Sequence, residues 1–128
     1  MDVYLYGVGD DASRFQEALR RGRAYRDAGA DCIFLIGLRD RDTIARLVRE
    51  IGCAINIMAS PGAPTTSELE KIGVARVTFG TGPVRAMLPF IRRMARELRE
   101  PGGSDLLGQT EFTHATVNQL FKKRGEQK

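Results

Sequence analysis

The chain has 128 residues, of which 42% are hydrophobic and 28% charged, and its formal net charge is +4 at pH 7. This length suits one domain and is too short for a complete (βα)8 barrel, which needs about 200 residues or more. The excess positive charge lies in arginines of predicted helices, without the aromatic stripe or motif of a nucleic-acid-binding protein, so no nucleic-acid partner is predicted.

The chain shows no signal peptide and no apolar run long enough to cross a membrane. Its two cysteines, Cys32 and Cys53, lack the CxxC spacing of a zinc or redox site. We therefore expect a soluble cytoplasmic protein with reduced thiols and without a membrane partner.

Four short apolar segments rich in β-forming residues alternate with helical patterns. They are centred near Tyr4, Ile33, Ile55 and Val77, and the first covers Asp2–Tyr6. Short buried strands that alternate with helices are typical of a parallel sheet covered by helices. The sequence therefore predicts an α/β fold with four parallel strands, in which ligands bind at the carboxyl ends of the strands.

Capping residues delimit the predicted helices. Ser13 is the expected N-cap of a first helix over about residues 14–28, whose buried stripe includes Phe15, Ala18, Leu19, Gly22 and Tyr25. Asp40 or Asp42 caps the second helix, which Gly52 ends, and Thr66 or Ser67 opens the third. A long fourth helix reaches about residue 99, with Pro83 in its first turn.

Residues 101–128 are expected to form a helical extension and a polar tail. Val117, Leu120 and Phe121 would share one face of its last amphipathic segment, and the tail covers 122–128. We predict a domain boundary near residue 100, with the barrel-like part before it.

Two polar residues are the main candidates for ligand binding. Asn56 interrupts an otherwise apolar strand, where its amide either makes a structural hydrogen bond or points towards a substrate. Arg85 lies in the first turn of the fourth helix, where it either forms a surface salt bridge or binds a carboxylate with two hydrogen bonds.

Weaker candidates lie nearby. The loop from Gly80 to Gly82 precedes a helix and could bind phosphate through its backbone N–H groups, although such turns are also common for steric reasons. The single histidine, His114, lies in the segment expected outside the sheet and is a poor general base. The aspartates near the strand ends fit turns and helix caps better than a magnesium site.

Three sequence runs in order resemble the C-terminal half of the isocitrate lyase and phosphoenolpyruvate mutase superfamily. They are AYRDAGAD at 24–31, INIMASPGAP at 55–64 and IGVARVTFG at 72–80, followed by Arg85 and Ala86. The resemblance implies the last four βα units of a TIM-type (βα)8 barrel. It also implies a magnesium-dependent lyase or mutase that forms an enolate from a small 2-oxo or 2-hydroxy carboxylic acid, with Mg²⁺ as Lewis acid.

The resemblance carries over residue by residue. Asn56 and Arg85 fall where lyases of this family place a substrate-binding amide and arginine, and Asp2 matches the aspartate of the family's Asn-Ala-Arg-Thr-Asp motif. The arginine of that motif, the magnesium ligands and the catalytic loop have no counterpart in the chain. Ile36 stands where some members carry Glu or His, which argues against methylisocitrate lyase and phosphonomutase specificities.

Three functional interpretations remain open. The chain is the second half of such an enzyme, inactive alone, with a small carboxylate substrate. Alternatively it is a non-catalytic half-barrel that forms homo-oligomers, for which the C-terminal segment is suited. A third possibility is a βα domain that binds a phosphorylated metabolite through Gly80–Gly82.

Overall fold

A computed structural model describes residues 1–100 and 102–122. Its three strands are β1 (Cys32–Leu35), β2 (Ala54–Met58) and β3 (Arg76–Thr78). Its α-helices are α1 (Asp11–Asp27), α2 (Arg41–Ile51), α3 (Thr66–Lys71), α4 (Gly82–Arg99) and α5 (His114–Lys122), and a 3-10 turn covers Asp105–Gly108. The chain divides into two compact units, Met1–Pro83 and Val84–Lys128.

The sheet has the order β1-β2-β3, and both strand pairs are parallel. Ile33 pairs in register with Ile55, and Ile57 pairs with Val77. Each strand is joined to the next through a helix, as short apolar runs alternating with amphipathic helices predict. The predicted α/β class and the parallel pairing near Ile33 and Ile55 are confirmed.

The predicted first strand, Asp2–Tyr6, is wrong. These residues form a turn in which the Tyr6 N–H donates to Asp2 O (3.1 Å) and the Val8 N–H to Val3 O (3.0 Å). Only Met1 lies along β1, because its ammonium donates to Phe34 O (2.9 Å) and its carbonyl accepts from Ile36 N (3.4 Å). These two bonds place Met1 beside Leu35, the last residue of β1. The residues after Met1 therefore lie beyond the end of β1 and have no strand to pair with.

Apolar side chains from alternate strand positions meet the helices in one core. The fully or nearly buried members are Val3, Phe15, Ala18, Leu19, Ile33, Leu35, Leu38, Ile44, Leu47, Ile51, Ile55, Ile57 and Leu69. Gly22 of α1 lets Ile51 of α2 approach closely, since a Cβ at Gly22 would lie 2.6 Å from Ile51 Cδ1. The predicted stripe of α1 is confirmed except for Tyr25, which remains 44% exposed.

The helix caps were predicted with mixed success. Asp10, not Ser13, caps α1, because its carboxylate accepts from the Ser13 N–H at 2.8 Å. Asp40, one of the two predicted candidates, caps α2, and Gly52 ends the helix in the left-handed region as predicted. Thr65, one residue before the predicted start, caps α3 in a reciprocal pair with Glu68.

The second unit contains most of α4, the 3-10 turn and α5. Pro83 occupies the first turn of α4, as predicted. On α5, Val117, Leu120 and Phe121 are exposed, and residues 123–128 of the predicted tail lie outside the described residues. The boundary near residue 100 and the oligomer contact stay predictions. Within the described ranges, no helix combines the length and apolar character needed to span a bilayer.

Asp40 provides a test of the α2 cap. Hydrogen bonds from Thr43 hold the pKa of the Asp40 carboxyl below its ordinary value, so its stabilisation is present at neutral pH and is lost as the pH falls through the folded-state pKa. Asp40→Ala should lower the free energy of unfolding by about 1 kcal/mol at pH 7. The loss should shrink in acid. Urea unfolding measures both, and Asp42→Ala, which removes an exposed carboxylate from the same turn, is the control.

Candidate functional site

Among the residues that the structure describes, Asn56 stands out as a fully buried polar residue, and it occupies the middle of β2. Ile55 and Ile57 on either side point into the helix-covered core, so strand alternation places Asn56 on the opposite face of the sheet. On that face it has Phe34 as its register partner on β1 and Met58 two residues along its own strand. Asn56 therefore lies in the middle of its strand, and its role in ligand binding stays a prediction.

The carboxamide of Asn56 is only partly satisfied. Its Nδ2 donates to Thr78 Oγ1 at 3.3 Å, whereas its Oδ1 is buried without a hydrogen-bond partner. A buried acceptor without a donor costs about 1–3 kcal/mol, so such atoms are uncommon in folded proteins. The bond to Thr78 fits the structural interpretation of Asn56, and its role in ligand binding stays a prediction.

Arg85 is exposed in the first turn of α4 and belongs to the second compact unit. It lines a shallow cleft with Leu88, Pro89 and three further arginines, which are Arg92, Arg93 and Arg96. The first turn of α4 carries no acidic residue. The N-terminus of α4 favours an anion near Arg85, and the guanidinium groups of the later turns add positive charge along the cleft.

The weaker candidates occupy exposed backbone. Asp2 is exposed, and one of its carboxylate oxygens lies 3.8 Å from the Met1 ammonium. Gly80 adopts a left-handed conformation (φ +53°), and a Cβ there would lie 3.3 Å from Met58 Sδ. The Gly82 N–H donates to Phe79 O at 3.0 Å, so this N–H is already used within the loop.

The described residues contain no group of three or more His, Cys, Asp or Glu side chains arranged to hold a metal ion. The chain's own residues therefore do not fit the magnesium site that the resemblance implies. His114 is exposed at the start of α5. Cys32 and Cys53 are both free thiols, and Cys53 Sγ donates to Ala30 O at 3.3 Å.

Sequence reasoning missed a charged cleft beyond the end of β1, with a volume of about 460 Å³. Its lining includes Tyr4, Arg14, Gly37, Arg39 and Asp40. Burial raises the pKa of the Tyr4 hydroxyl, which has no partner. The Arg14 guanidinium is occupied by Val8 O (3.3 Å), Gly9 O (2.7 Å) and Asp11 (2.8 Å), so it holds the preceding loop. In the sequence, this cleft is marked only by an arginine that follows a Gly-Val-Gly turn. Such a pattern is too common to predict a cleft.

The parallel sheet covered by helices agrees with a family comparison. The family model described as phosphoenolpyruvate phosphomutase matches residues 1–99, more than three quarters of the chain. The chain belongs to this family. The family, identified above from three sequence runs, is thereby confirmed.

Curated relatives carry two activities. The chain is 30% identical over 136 residues to the phosphonopyruvate hydrolase of Variovorax sp. (strain Pal2), covering 100% of this chain and 43% of the hydrolase. It is also 30% identical over 102 residues to an oxaloacetate decarboxylase of Pseudomonas syringae pv. tomato, covering 77% and 35% of the two chains. The chain thus spans less than half the length of these relatives.

Solved structures show the same partial match. A Burkholderia cenocepacia J2315 protein, provisionally described as a lyase/mutase, superposes with a TM-score of 0.73 at 33% identity, over 93% of this chain and 42% of that one. A phosphonopyruvate hydrolase in complex with oxalate and Mg²⁺ superposes with a TM-score of 0.62 over 96% of this chain and 44% of its own. The identity there is 24%, which supports the fold alone.

Proposed function

We propose that this chain supplies the substrate-binding strands of a cytoplasmic magnesium-dependent lyase or mutase. The observation that carries the proposal is the buried Asn56, whose unpaired Oδ1 lies on the sheet face opposite the helices. A buried polar atom without a protein partner is uncommon, and a bound ligand or water that supplies the missing hydrogen bond accounts for it. The family membership supplies the reaction class.

The bound substrate would be a small 2-oxo or 2-hydroxy carboxylic acid. Phosphonopyruvate and oxaloacetate, named in two relatives, both place a carboxylate beside a 2-oxo group. We propose Arg85 as the residue that binds the substrate carboxylate through charge-assisted hydrogen bonds, and Asn56 Oδ1 as an acceptor for the hydroxyl of a 2-hydroxy acid. Fixing the substrate in this way favours cleavage of the bond next to the carbonyl, which leaves an enolate.

The remaining part of the site would come from outside this chain. The two hydrogen bonds between Met1 and β1 are those of a parallel bridge, so the sheet position beside β1 accepts a parallel strand. Cys32 and Ile33 have no strand partner on that side among the residues that the structure describes. We propose that a complementary polypeptide segment adds strands there and brings the metal ligands and the catalytic loop.

A second candidate function is a non-catalytic half-barrel that forms homo-oligomers. Partly exposed apolar side chains favour it, namely Val84, Met87, Leu88, Ile91 and Leu98 of α4 together with Leu120 and Phe121 of α5. Such surfaces mark interaction sites, and open sheet edges promote association. The third candidate, phosphate binding at Gly80–Gly82, is weaker because the Gly82 N–H already donates to Phe79.

Activity assays with and without the complementary half test the proposal. We expect no turnover of oxaloacetate, phosphonopyruvate, isocitrate or 2-methylisocitrate by the 128-residue chain with Mg²⁺, because its described residues assemble no metal-ligand cluster. A fusion to the segment that precedes the matched region in the Variovorax hydrolase should turn over at least one of them.

The hydrolase segment expressed alone is the control for the fusion. Metal-dependent turnover by the homogeneous chain would contradict the proposal. A folded fusion without activity, together with stable oligomers of the chain in sedimentation, would favour the non-catalytic alternative.

A further inference from the structure

The charged cleft beyond the end of β1 lies within the first compact unit and takes no part in the proposed function. The first turns of α1 and α2 line it through Asp11, Arg14 and Thr43. Tyr4, another lining residue, packs against the helix-covered core. The cleft therefore belongs to the helical layer, whereas Asn56 lies on the opposite face of the sheet.

The Tyr4 hydroxyl is a buried polar group that the function proposed above does not use. It has no hydrogen-bond partner among the residues that the structure describes. Buried hydroxyls are nearly always hydrogen-bonded, so the missing partner indicates an acceptor from outside these residues. Burial raises the pKa of the Tyr4 hydroxyl, which therefore keeps its proton at neutral pH and is available as a donor.

Arg39 and Asp40 bring opposite charges to the cleft and do not neutralise each other. Both are exposed, and neither forms an ion pair with a residue that the structure describes. Hydrogen bonds from Thr43 hold the pKa of the Asp40 carboxyl below its ordinary value, so this group is ionised at neutral pH. Asp11 and Arg14 pair with each other at 2.8 Å and add no net charge.

This charge pattern favours a ligand that carries both signs. A purely anionic ligand meets the negative charge of Asp40, and a purely cationic ligand meets the positive charge of Arg39. A zwitterion offers each of these side chains its opposite charge. An α-amino acid carries its ammonium and its carboxylate on one carbon, which suits two charged residues that are adjacent in the chain.

We propose that the charged cleft is a second ligand site, which binds a small zwitterion such as a free α-amino acid. Arg39 binds the carboxylate, Asp40 binds the ammonium, and the Tyr4 hydroxyl donates to a carboxylate oxygen. The volume of about 460 Å³ leaves room for the side chain of the ligand. The Tyr4 hydroxyl is covered in the structure, so a neighbouring side chain must move as the ligand enters. Unlike Arg14, the exposed Arg39 is not held by hydrogen bonds to the described residues, and we expect it to rearrange.

Three probes that differ only in charge test the proposal. L-Alanine carries both charges, N-acetyl-L-alanine lacks the ammonium, and L-alaninamide lacks the carboxylate. The ¹⁵N-labelled 128-residue chain is titrated with each at neutral pH, and the backbone amide signals of Gly37, Leu38 and Arg39 are followed by NMR. We expect L-alanine to bind about tenfold more tightly than either analogue, because each analogue loses one charge-assisted contact. Thermal-shift titrations give a second measurement if the chain self-associates.

Conservative substitutions separate the three contacts. Tyr4→Phe removes only the hydroxyl and should weaken L-alanine binding about threefold to tenfold, without lowering the melting temperature of the unliganded chain. Arg39→Gln should abolish the preference over L-alaninamide. Asp40→Asn keeps a capping side chain and should abolish the preference over N-acetyl-L-alanine. The matched controls are the same changes at exposed positions that do not line the cleft, namely Tyr6→Phe, Arg41→Gln and Asp42→Asn.

The outcomes are independent of the proposed function, whose substrate site does not include this cleft. Equal binding of the three probes would overturn the zwitterion site, as would L-alanine binding that survives all three substitutions in the cleft. If L-alanine shifts neither a signal nor the melting temperature, the Tyr4 hydroxyl has no ligand of this class and the proposal fails.

Discussion

Arg85→Ala should reduce kcat/KM of the catalytically complete fusion by roughly thirtyfold to several thousandfold. The estimate follows from the loss of one charged partner in a hydrogen-bonded carboxylate pair, about 2–5 kcal/mol. Arg85→Lys should recover part of the loss, because lysine keeps the charge but lacks the planar fork that binds both carboxylate oxygens. Asn56→Ala should cost less, about 1–3 kcal/mol, since a neutral amide is removed. Steady-state kinetics of the three variants give these values.

Arg92→Ala is the matched control for Arg85→Ala, because Arg92 lines the same cleft about two turns further along α4. Removing its charge should change kcat/KM only slightly, through the weaker long-range field. Equal losses for Arg85→Ala and Arg92→Ala would show that the cleft acts through its total charge and that Arg85 has no specific contact with substrate.

The three strands that were predicted correctly are those that pair with one another within the chain. Residues 32–35, 54–58 and 76–78 alternate with helices, and each strand pairs with the next in order. Asp2–Tyr6 has an equally strong β-forming composition, but Met1 already pairs at the end of β1, so the residues after it have no strand beside them. Composition describes a preference for strands, whereas pairing depends on the surrounding sheet.

For the candidate site, the sequence shows which residue is unusual but not what that residue contacts. An amide inside an apolar strand is visible in the sequence, so Asn56 could be singled out. Its bond to Thr78 could not be predicted, because the diagonal contact depends on the register between β2 and β3.

The prediction of the N-cap of α1 failed for a different reason. Asp10, Asp11 and Ser13 are all capping residue types within four positions, and only the backbone geometry of Asp10 decides among them.

Gly37→Ala should be among the most destabilising single substitutions in the first unit. Gly37 follows β1 with a left-handed backbone (φ +84°), and a Cβ there would lie 3.0 Å from both Leu5 N and Leu5 Cα. These are backbone atoms of the N-terminal turn, which cannot rotate away as a side-chain end can. Left-handed strain of about 1–2 kcal/mol and overpacking of about 1–3 kcal/mol should together lower the free energy of unfolding by about 2–5 kcal/mol.

Gly29→Ala separates these two contributions. Gly29 also has a left-handed backbone (φ +94°), but a Cβ there would meet nothing within 4 Å, so this variant should show the strain alone. The difference between the two variants in urea unfolding then measures how tightly the turn at Tyr4–Leu5 packs on the loop after β1. Because that turn directly follows Met1, Gly37→Ala should also weaken the bridge between Met1 and β1, seen as faster exchange of the Ile36 amide. Equal destabilisation by the two substitutions would mean that the turn moves aside freely and does not hold Met1 at the edge of the sheet.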